Sequence, residues 1–248
     1  MKSSVDYYMY WNKKRATEKV LHREKKCLVL LRKYMKKGCR LIDIGCGNGK
    51  FLQEIKKRFP EVEGCGIEGS DAEVKEARKR GLNVIKEDLE KGLKKRKRRA
   101  DIVYLGEVLE HVYDPDGTLD EVNQQLKTGG LLLFATPNLC AWFNRLLMLI
   151  GMQPLFLEPS TRSKLMGAGI LGKLKKESQP VGHVRVFTYE AVKDLLKQSG
   201  FQIIKRKGAV FDEGLPRMIL PFDWIFSLLP SLAAHHIILA RKIREITI

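Results

Sequence analysis

The stretch Leu41-Ile42-Asp43-Ile44-Gly45-Cys46-Gly47-Asn48-Gly49 decides the fold. A short apolar run leads into glycines at alternate positions, the pattern of a buried strand ending in a tight turn that opens a helix. Such a turn lets backbone approach a ligand at the carboxyl edge of an open α/β sheet. A GxGxG is weak evidence on its own, because glycine turns also serve packing. Lys50 stands where a dinucleotide fingerprint needs its third glycine, which argues against a nicotinamide cofactor.

Outward from this loop, apolar runs alternate with helical segments: Val62 to Ile67, Leu82 to Ile85, Asp101 to Leu105 and Leu131 to Ala135. The alternation predicts a Rossmann-like α/β sheet, mostly parallel, with helices on both faces. Two later runs, Phe201 to Arg206 and His235 to Arg241, read as a closing antiparallel pair. Ser70 followed by Glu73 forms a capping box, and Thr188 starts an amphipathic helix that ends at Gly200. Upstream, Trp11 to Met35 reads as one long basic helix. Tyr7, Tyr8, Tyr10 and Trp11 precede or begin it, either as a cover over a ligand at the glycine loop or as a helix anchor.

With Lys50, two further residues turn the glycine loop into a nucleoside site. Glu68 ends the second strand, roughly 20 residues after the loop, where a carboxylate can accept both ribose hydroxyls; Asp88 follows the third strand, placed for an adenine amino group. From Arg40 to Asn138 the chain resembles the class I S-adenosylmethionine-dependent methyltransferases, in particular their quinone-biosynthesis-like, type 11-12 branch. The resemblance implies a seven-stranded sheet whose last strand is antiparallel. It implies that Asp43 holds the amino-acid end of S-adenosylmethionine, that Gly45, Cys46, Gly47 and Gly49 pack against it, and that Glu68 and Gly69 meet its ribose. Asp88 and Leu89 match the adenine position, and Glu107 and Val108 face the methionine part. Cys46 itself reads as a packing residue rather than a reactive one.

On the acceptor side, Glu107, Glu110 and His111 would share one face if their segment were helical. The phrase resembles one in quinone-biosynthesis and small-RNA 2′-O-methyltransferases, whose metal sites use similar groups, and His183 is a looser fourth match. Either these four hold a divalent metal that activates a hydroxyl, or Glu107 meets cofactor or water and the others make local hydrogen bonds.

The 248 residues carry a net charge of +17, and 44% of them are hydrophobic, enough for a full core. We expect one domain over 1-248, with an N-terminal helical extension (1-37) and substrate-side insertions at 139-182 and 208-232. Five cysteines without a CxxC pair, and an N-terminus lacking a secretory pattern, predict reduced thiols and a cytoplasmic protein. The apolar stretch Met218 to Ala240 is broken by Pro221, Asp223, Pro230, His235 and His236, which argues against a membrane span.

Two segments, Ala141 to Leu157 and Met218 to Leu232, mix aromatic and aliphatic residues. They read as an apolar mouth over the cofactor, or else as core or a dimer interface. With Lys164, Lys173, Lys175 and Lys176 nearby, the first reading suits a lipid-like acceptor and peripheral contact with an anionic membrane. The run Lys94 to Arg99 reads as a solvated charge run at the far edge of the sheet. The expectation is an O-methyltransferase for a small, lipid-like acceptor. An RNA methyltransferase, and a cofactor-binding protein without catalysis, are the rivals.

Overall fold

The computed structural model describes residues 20–169, 172, 178–212 and 214–246. The expected tyrosine and tryptophan cover, and Lys173, Lys175 and Lys176, lie outside the described residues. Strand β1 (Arg40–Ile44) pairs in parallel with β2 (Glu63–Glu68) on one side and β4 (Ala100–Gly106) on the other. With β3 (Val84–Lys86), β5 (Leu126–Pro137), β6 (Phe201–Ala209) and β7 (His235–Lys242), the order is β3-β2-β1-β4-β5-β7-β6. Only β7 runs against its neighbours, β5 and β6, as the resemblance implied.

Strand period two divides the core between the faces. Leu41, Ile102, Tyr104, Leu133 and Leu239 join one buried cluster, while Ile42, Ile44, Val103, Leu105, Phe134 and Ile238 join the other. Helices α1 (His22–Leu31), α2 (Lys50–Arg58) and α3 (Asp71–Lys79) contribute to the first; α4 (Pro115–Gln125) and α6 (Tyr189–Gln198) cover the second. Ser70 caps α3 by accepting from the Glu73 amide, and Thr188 caps α6 by accepting from Ala191, as expected. Two short helices, α5 (Trp142–Leu149) and α7 (Leu220–Phe226), lie in the insertions.

Several boundaries differ from the sequence reading. Strand β5 starts at Leu126 rather than Leu131, because its first residue already pairs with Ala100 of β4 ahead of a register shift. Strand β2 ends at Glu68 as expected, and β3 ends one residue later than its apolar run, at Lys86, because pairing continues through that residue. Helix α1 stops at Leu31, where the amides of Tyr34 and Met35 both turn back to the Leu31 carbonyl, so the long helix to Met35 is not formed.

His236 is buried in β7 with neither ring nitrogen partnered, and burial, followed by Arg206 and His235, lowers its pKa to about 3. The native imidazole stays neutral while the unfolded one gains a proton below its ordinary value. This residue's contribution to stability is therefore complete above pH 6.5 and declines as pH falls from there toward 3. Between about pH 7.5 and about pH 5.5 the loss is about 1.4 kcal/mol. Urea unfolding at both values should show His236→Phe losing less stability than wild type by that amount; equal losses would contradict it.

Candidate active site

Two cavities open at the carboxyl edge of the sheet and share Gly45, Glu107 and His111. The smaller, about 610 Å3 including its open side, is lined by Glu68, Gly69, Asp88, Leu89, Val108 and Val112 among others. The larger, about 1250 Å3 on the same measure, is walled by Asp43, Cys46 and Gly47, by Glu110 and His183, and by residues no motif had marked.

Gly45 must be glycine for two reasons. Its φ is +69°, and a Cβ there would sit 2.4 Å from a methyl of Val108. Glu68 fixes the loop from below: one carboxylate oxygen accepts from the Gly47 amide and the other from Ser70, each at 2.8 Å. Each oxygen keeps a second lone pair for a hydroxyl. Asp43 is buried, its Oδ2 has no partner, and burial followed by Glu68 and Glu24 raises its pKa. Asp88 caps a turn at Leu89–Lys91 by accepting from the Glu90 amide. Cys46 packs, since a Cβ at Gly66 would lie 2.5 Å from its sulfur, and burial pushes its thiol up. Gly49 lines neither cavity, contrary to expectation; a side chain there would strike Leu82 and Ala77, so it serves the start of α2.

The expected helical face of Glu107, Glu110 and His111 does not form. Glu107 takes φ +57°, a left-handed conformation that costs a non-glycine residue roughly 1 kcal/mol or more, and only Leu109–His111 make a single tight turn. Its carboxylate turns instead toward Arg23, at 3.7 Å, and His235, at 3.4 Å. Burial alone would raise Glu107, but Arg23 and then His235 hold it below the usual carboxylate range.

Glu110, His111 and His183 do meet, with one ligand atom of each within 4.8 Å of the others. The amides of Val184 and Arg185 donate to the Glu110 carbonyl, which ties the distant His183 segment to this turn. His111 Nδ1 bonds the Gly182 carbonyl at 3.0 Å and His183 Nδ1 the Phe156 carbonyl at 2.7 Å. A carbonyl only accepts, so in both rings Nδ1 carries hydrogen and, in the neutral form, Nε2 carries the lone pair a metal needs. Burial lowers His111 to about 3. Glu110 accepts from Thr136 at 3.1 Å through one oxygen and leaves the other buried without a partner; burial, then Glu107, raises its pKa. These three fit a divalent ion, and Glu107 is not among them.

Arg23, Glu24 and Leu21, from the start of α1, and Phe156, Phe211 and His235 complete the larger cavity. Arg23 sits in the basic run Arg23-Glu24-Lys25-Lys26, which gave no spacing signal. His235 is a polar residue opening an apolar strand, the one visible cue.

The two apolar segments part company: one reaches the cavity and the other does not, and much of both is exposed rather than core. Phe156 reaches the cavity, but nothing between Met218 and Leu232 does, and Trp224 instead contacts His22, ring centroids 4.5 Å apart, beyond the cavity wall. The Lys94 to Arg99 run is also less free than expected: Arg96 pairs with Glu87 at 3.0 Å, Arg98 with Glu63 and Arg99 with Glu245, each at 2.7 Å. These pairings leave less unpaired charge for a phosphate backbone.

Residues 13–206 match the family model described as a methyltransferase domain. The chain belongs to this methyltransferase family. The ubiquinone biosynthesis O-methyltransferase of Ruegeria pomeroyi is 28% identical over 194 residues, 77% of this chain and 68% of that one. Among solved structures, an S-adenosylmethionine-dependent methyltransferase from Thermotoga maritima aligns with TM-score 0.57 at 21% identity, covering 96% of this chain and 95% of its own. The magnesium protoporphyrin IX methyltransferase of Synechocystis PCC 6803, solved with S-adenosylhomocysteine, aligns with TM-score 0.61 at 12% identity, covering 95% and 94%. Both confirm the fold. The methyltransferase uses S-adenosylmethionine, and among its described residues no helix is long and apolar enough to cross a membrane.

Proposed function

We propose that this methyltransferase transfers the methyl group to a hydroxyl oxygen of an amphiphilic acceptor, within one catalytic unit that carries two substrate-side insertions. The observation that carries this is the meeting of Glu110, His111 and His183 on the wall of the larger cavity. That carboxylate and those imidazoles suit a hydroxyl-activating site, and the O-methyltransferase relative supports oxygen as the atom.

In this reading the smaller cavity takes the nucleoside, with Glu68 accepting from the ribose hydroxyls and Asp88 and Leu89 bordering the adenine. Asp43 accepts from the amino group of the methionine part, and Arg23 pairs with its carboxylate. Gly45 and Gly47 let the backbone close on it, while Val108 packs under the loop. When bound, S-adenosylmethionine supplies a methyl carbon activated by positive sulfur, which the acceptor oxygen displaces in line. The chain's task is alignment in a preorganised, largely dry cavity.

A divalent ion held by Glu110, His111 and His183 would lower the acceptor hydroxyl's pKa. Glu107 orients His235 through their contact, and His235, whose Nδ1 is buried without a partner, is the residue we assign to receive the hydroxyl proton. Phe156 and Phe211, ring centroids 4.8 Å apart on the same wall, offer an apolar surface to the rest of the acceptor.

Methyl-labelled S-adenosylmethionine, offered in parallel to a soluble catechol and to the matching benzoic acid, each bearing a short apolar tail, and to RNA, tests the atom. The expected product is an organic-extractable ether whose label survives mild alkali. Label released by alkali would mark a carboxyl ester and overturn the hydroxyl assignment; label in RNA would favour the nucleic-acid rival.

A further inference from the structure

Helices α5 and α7 and the residues flanking them expose large apolar side chains. Leu149 is 82% exposed, Met218 81%, Leu228 73% and Ile225 62%, with Ile150 and Phe222 also largely open to solvent. Large exposed apolar side chains gathered on neighbouring elements mark interaction surfaces. The two helices adjoin: the Trp142 indole N–H donates to Asp223 at 2.9 Å, Trp142 stacks on Phe226 with centroids 5.1 Å apart, and the Trp142 amide bonds the Leu232 carbonyl. The exposed residues thus belong to two elements packed against each other.

The charges in these segments are sorted. Insertion 139-182 carries six lysines and arginines (Arg145, Arg162, Lys164, Lys173, Lys175 and Lys176) against two glutamates (Glu158 and Glu177). Among the described acids of both insertions, Glu158 turns inward to accept from the amides of Val181, Gly182 and His183. Asp223 accepts from Trp142 and the Phe211 amide, and Asp212 from the His22 amide. The cations Arg145, Arg162 and Arg217 are exposed. Exposed apolar side chains in segments whose described acids turn inward, while Arg145, Arg162 and Arg217 stay exposed, complement an anionic interface. Two copies apposed through these segments would bring those arginines together, which disfavours a second copy as the occupant.

These elements also connect to the acceptor cavity. Phe156 and Phe211 on the cavity wall contact Phe143 of α5, at 5.8 and 6.3 Å, and Phe143 contacts Trp142 at 5.6 Å. An unbroken row of aromatic rings thus runs from the cavity wall to the exposed helices.

We infer that α5 and α7 dock this methyltransferase on a bilayer rich in anionic phospholipid, from which an amphiphilic acceptor reaches the cavity along that aromatic row. The purpose of the docking rests on the amphiphilic-acceptor reading above, but its test does not. Flotation of the wild-type protein should show binding to vesicles of equal parts phosphatidylcholine and phosphatidylglycerol. It should show little binding to phosphatidylcholine alone, and release at high salt.

The double variant Leu149→Glu/Ile225→Glu changes two exposed positions, so its fold and its S-adenosylhomocysteine affinity should match wild type. Its partitioning to the anionic vesicles should fall by roughly tenfold or more. Failure of the wild type to float with these vesicles overturns the inference, as does unchanged partitioning of the variant. A wild-type dimer in sedimentation that the same substitutions dissolve assigns the surface to a second copy and overturns it too. None of these measurements uses methyl transfer, so their failure leaves the hydroxyl assignment standing, and failure of that assignment leaves the docking result interpretable.

Discussion

Glu68→Ala is expected to weaken S-adenosylhomocysteine binding roughly ten- to hundredfold, because a charged acceptor to two hydroxyls is worth about 1.5–3 kcal/mol. The structure raises the stakes at this residue. Its two oxygens hold the amides of Gly47 and Ser70, so the same substitution frees the glycine loop and strands two buried donors. Some stability is lost with the affinity. Glu68→Gln separates the effects: it keeps the volume and one acceptor oxygen but turns an amide N–H toward one of those backbone donors. Calorimetric titration of both folded variants checks this, and unchanged affinity in either a folded alanine or glutamine variant would remove Glu68 from the ribose.

Metal removal is expected to have the larger effect on turnover. Chelation, or His183→Ala, should lower kcat/KM by roughly a hundredfold or more while S-adenosylhomocysteine affinity changes little. The separation follows from the proposed division of the larger cavity, in which Asp43 and Arg23 meet the cofactor and His183 meets the acceptor. Metal analysis of the wild type should find one divalent ion per chain, lost in His183→Ala. Full activity in metal-free protein would leave Glu110, His111 and His183 as hydrogen-bonding groups alone.

The cofactor half of the site was legible in the sequence because it is local. Asp43, Gly45 and Gly47 lie within five residues, Glu68 ends the next strand and Asp88 follows the one after, and strand geometry alone brings these positions to one edge. Gly49 was misread for the opposite reason: its spacing fits the loop, but its surroundings are Leu82 and Ala77, set by how α2 and α3 pack. The acceptor half depends on backbone conformation and distant contacts. Helical spacing grouped Glu107 with Glu110 and His111, whereas a left-handed residue sends Glu107 toward Arg23 and His235.

Arg23 and His235 are separated by almost the whole chain, and no periodicity links them. His183 was legible only through the family phrase; what brings it to Glu110 is a pair of backbone bonds from Val184 and Arg185. Trp224 shows the limit of reading apolar content as burial. The residue lies on the substrate side in sequence order, yet the Trp142–Asp223 bond seats α7 outside the cavity with its apolar residues facing solvent.

The central claim is that the two cavities form one continuous site in which a single cofactor spans from Asp88 to Arg23 and presents its methyl group to the wall that bears Glu110, His111 and His183. A crystal structure with S-adenosylhomocysteine tests it directly. The account predicts adenine beside Asp88 and Leu89, ribose hydroxyls on Glu68, the carboxylate on Arg23 in place of Glu107, and the sulfur at the opening shared by Gly45, Glu107 and His111. A ligand seated elsewhere, or one whose sulfur points away from the larger cavity, would contradict it.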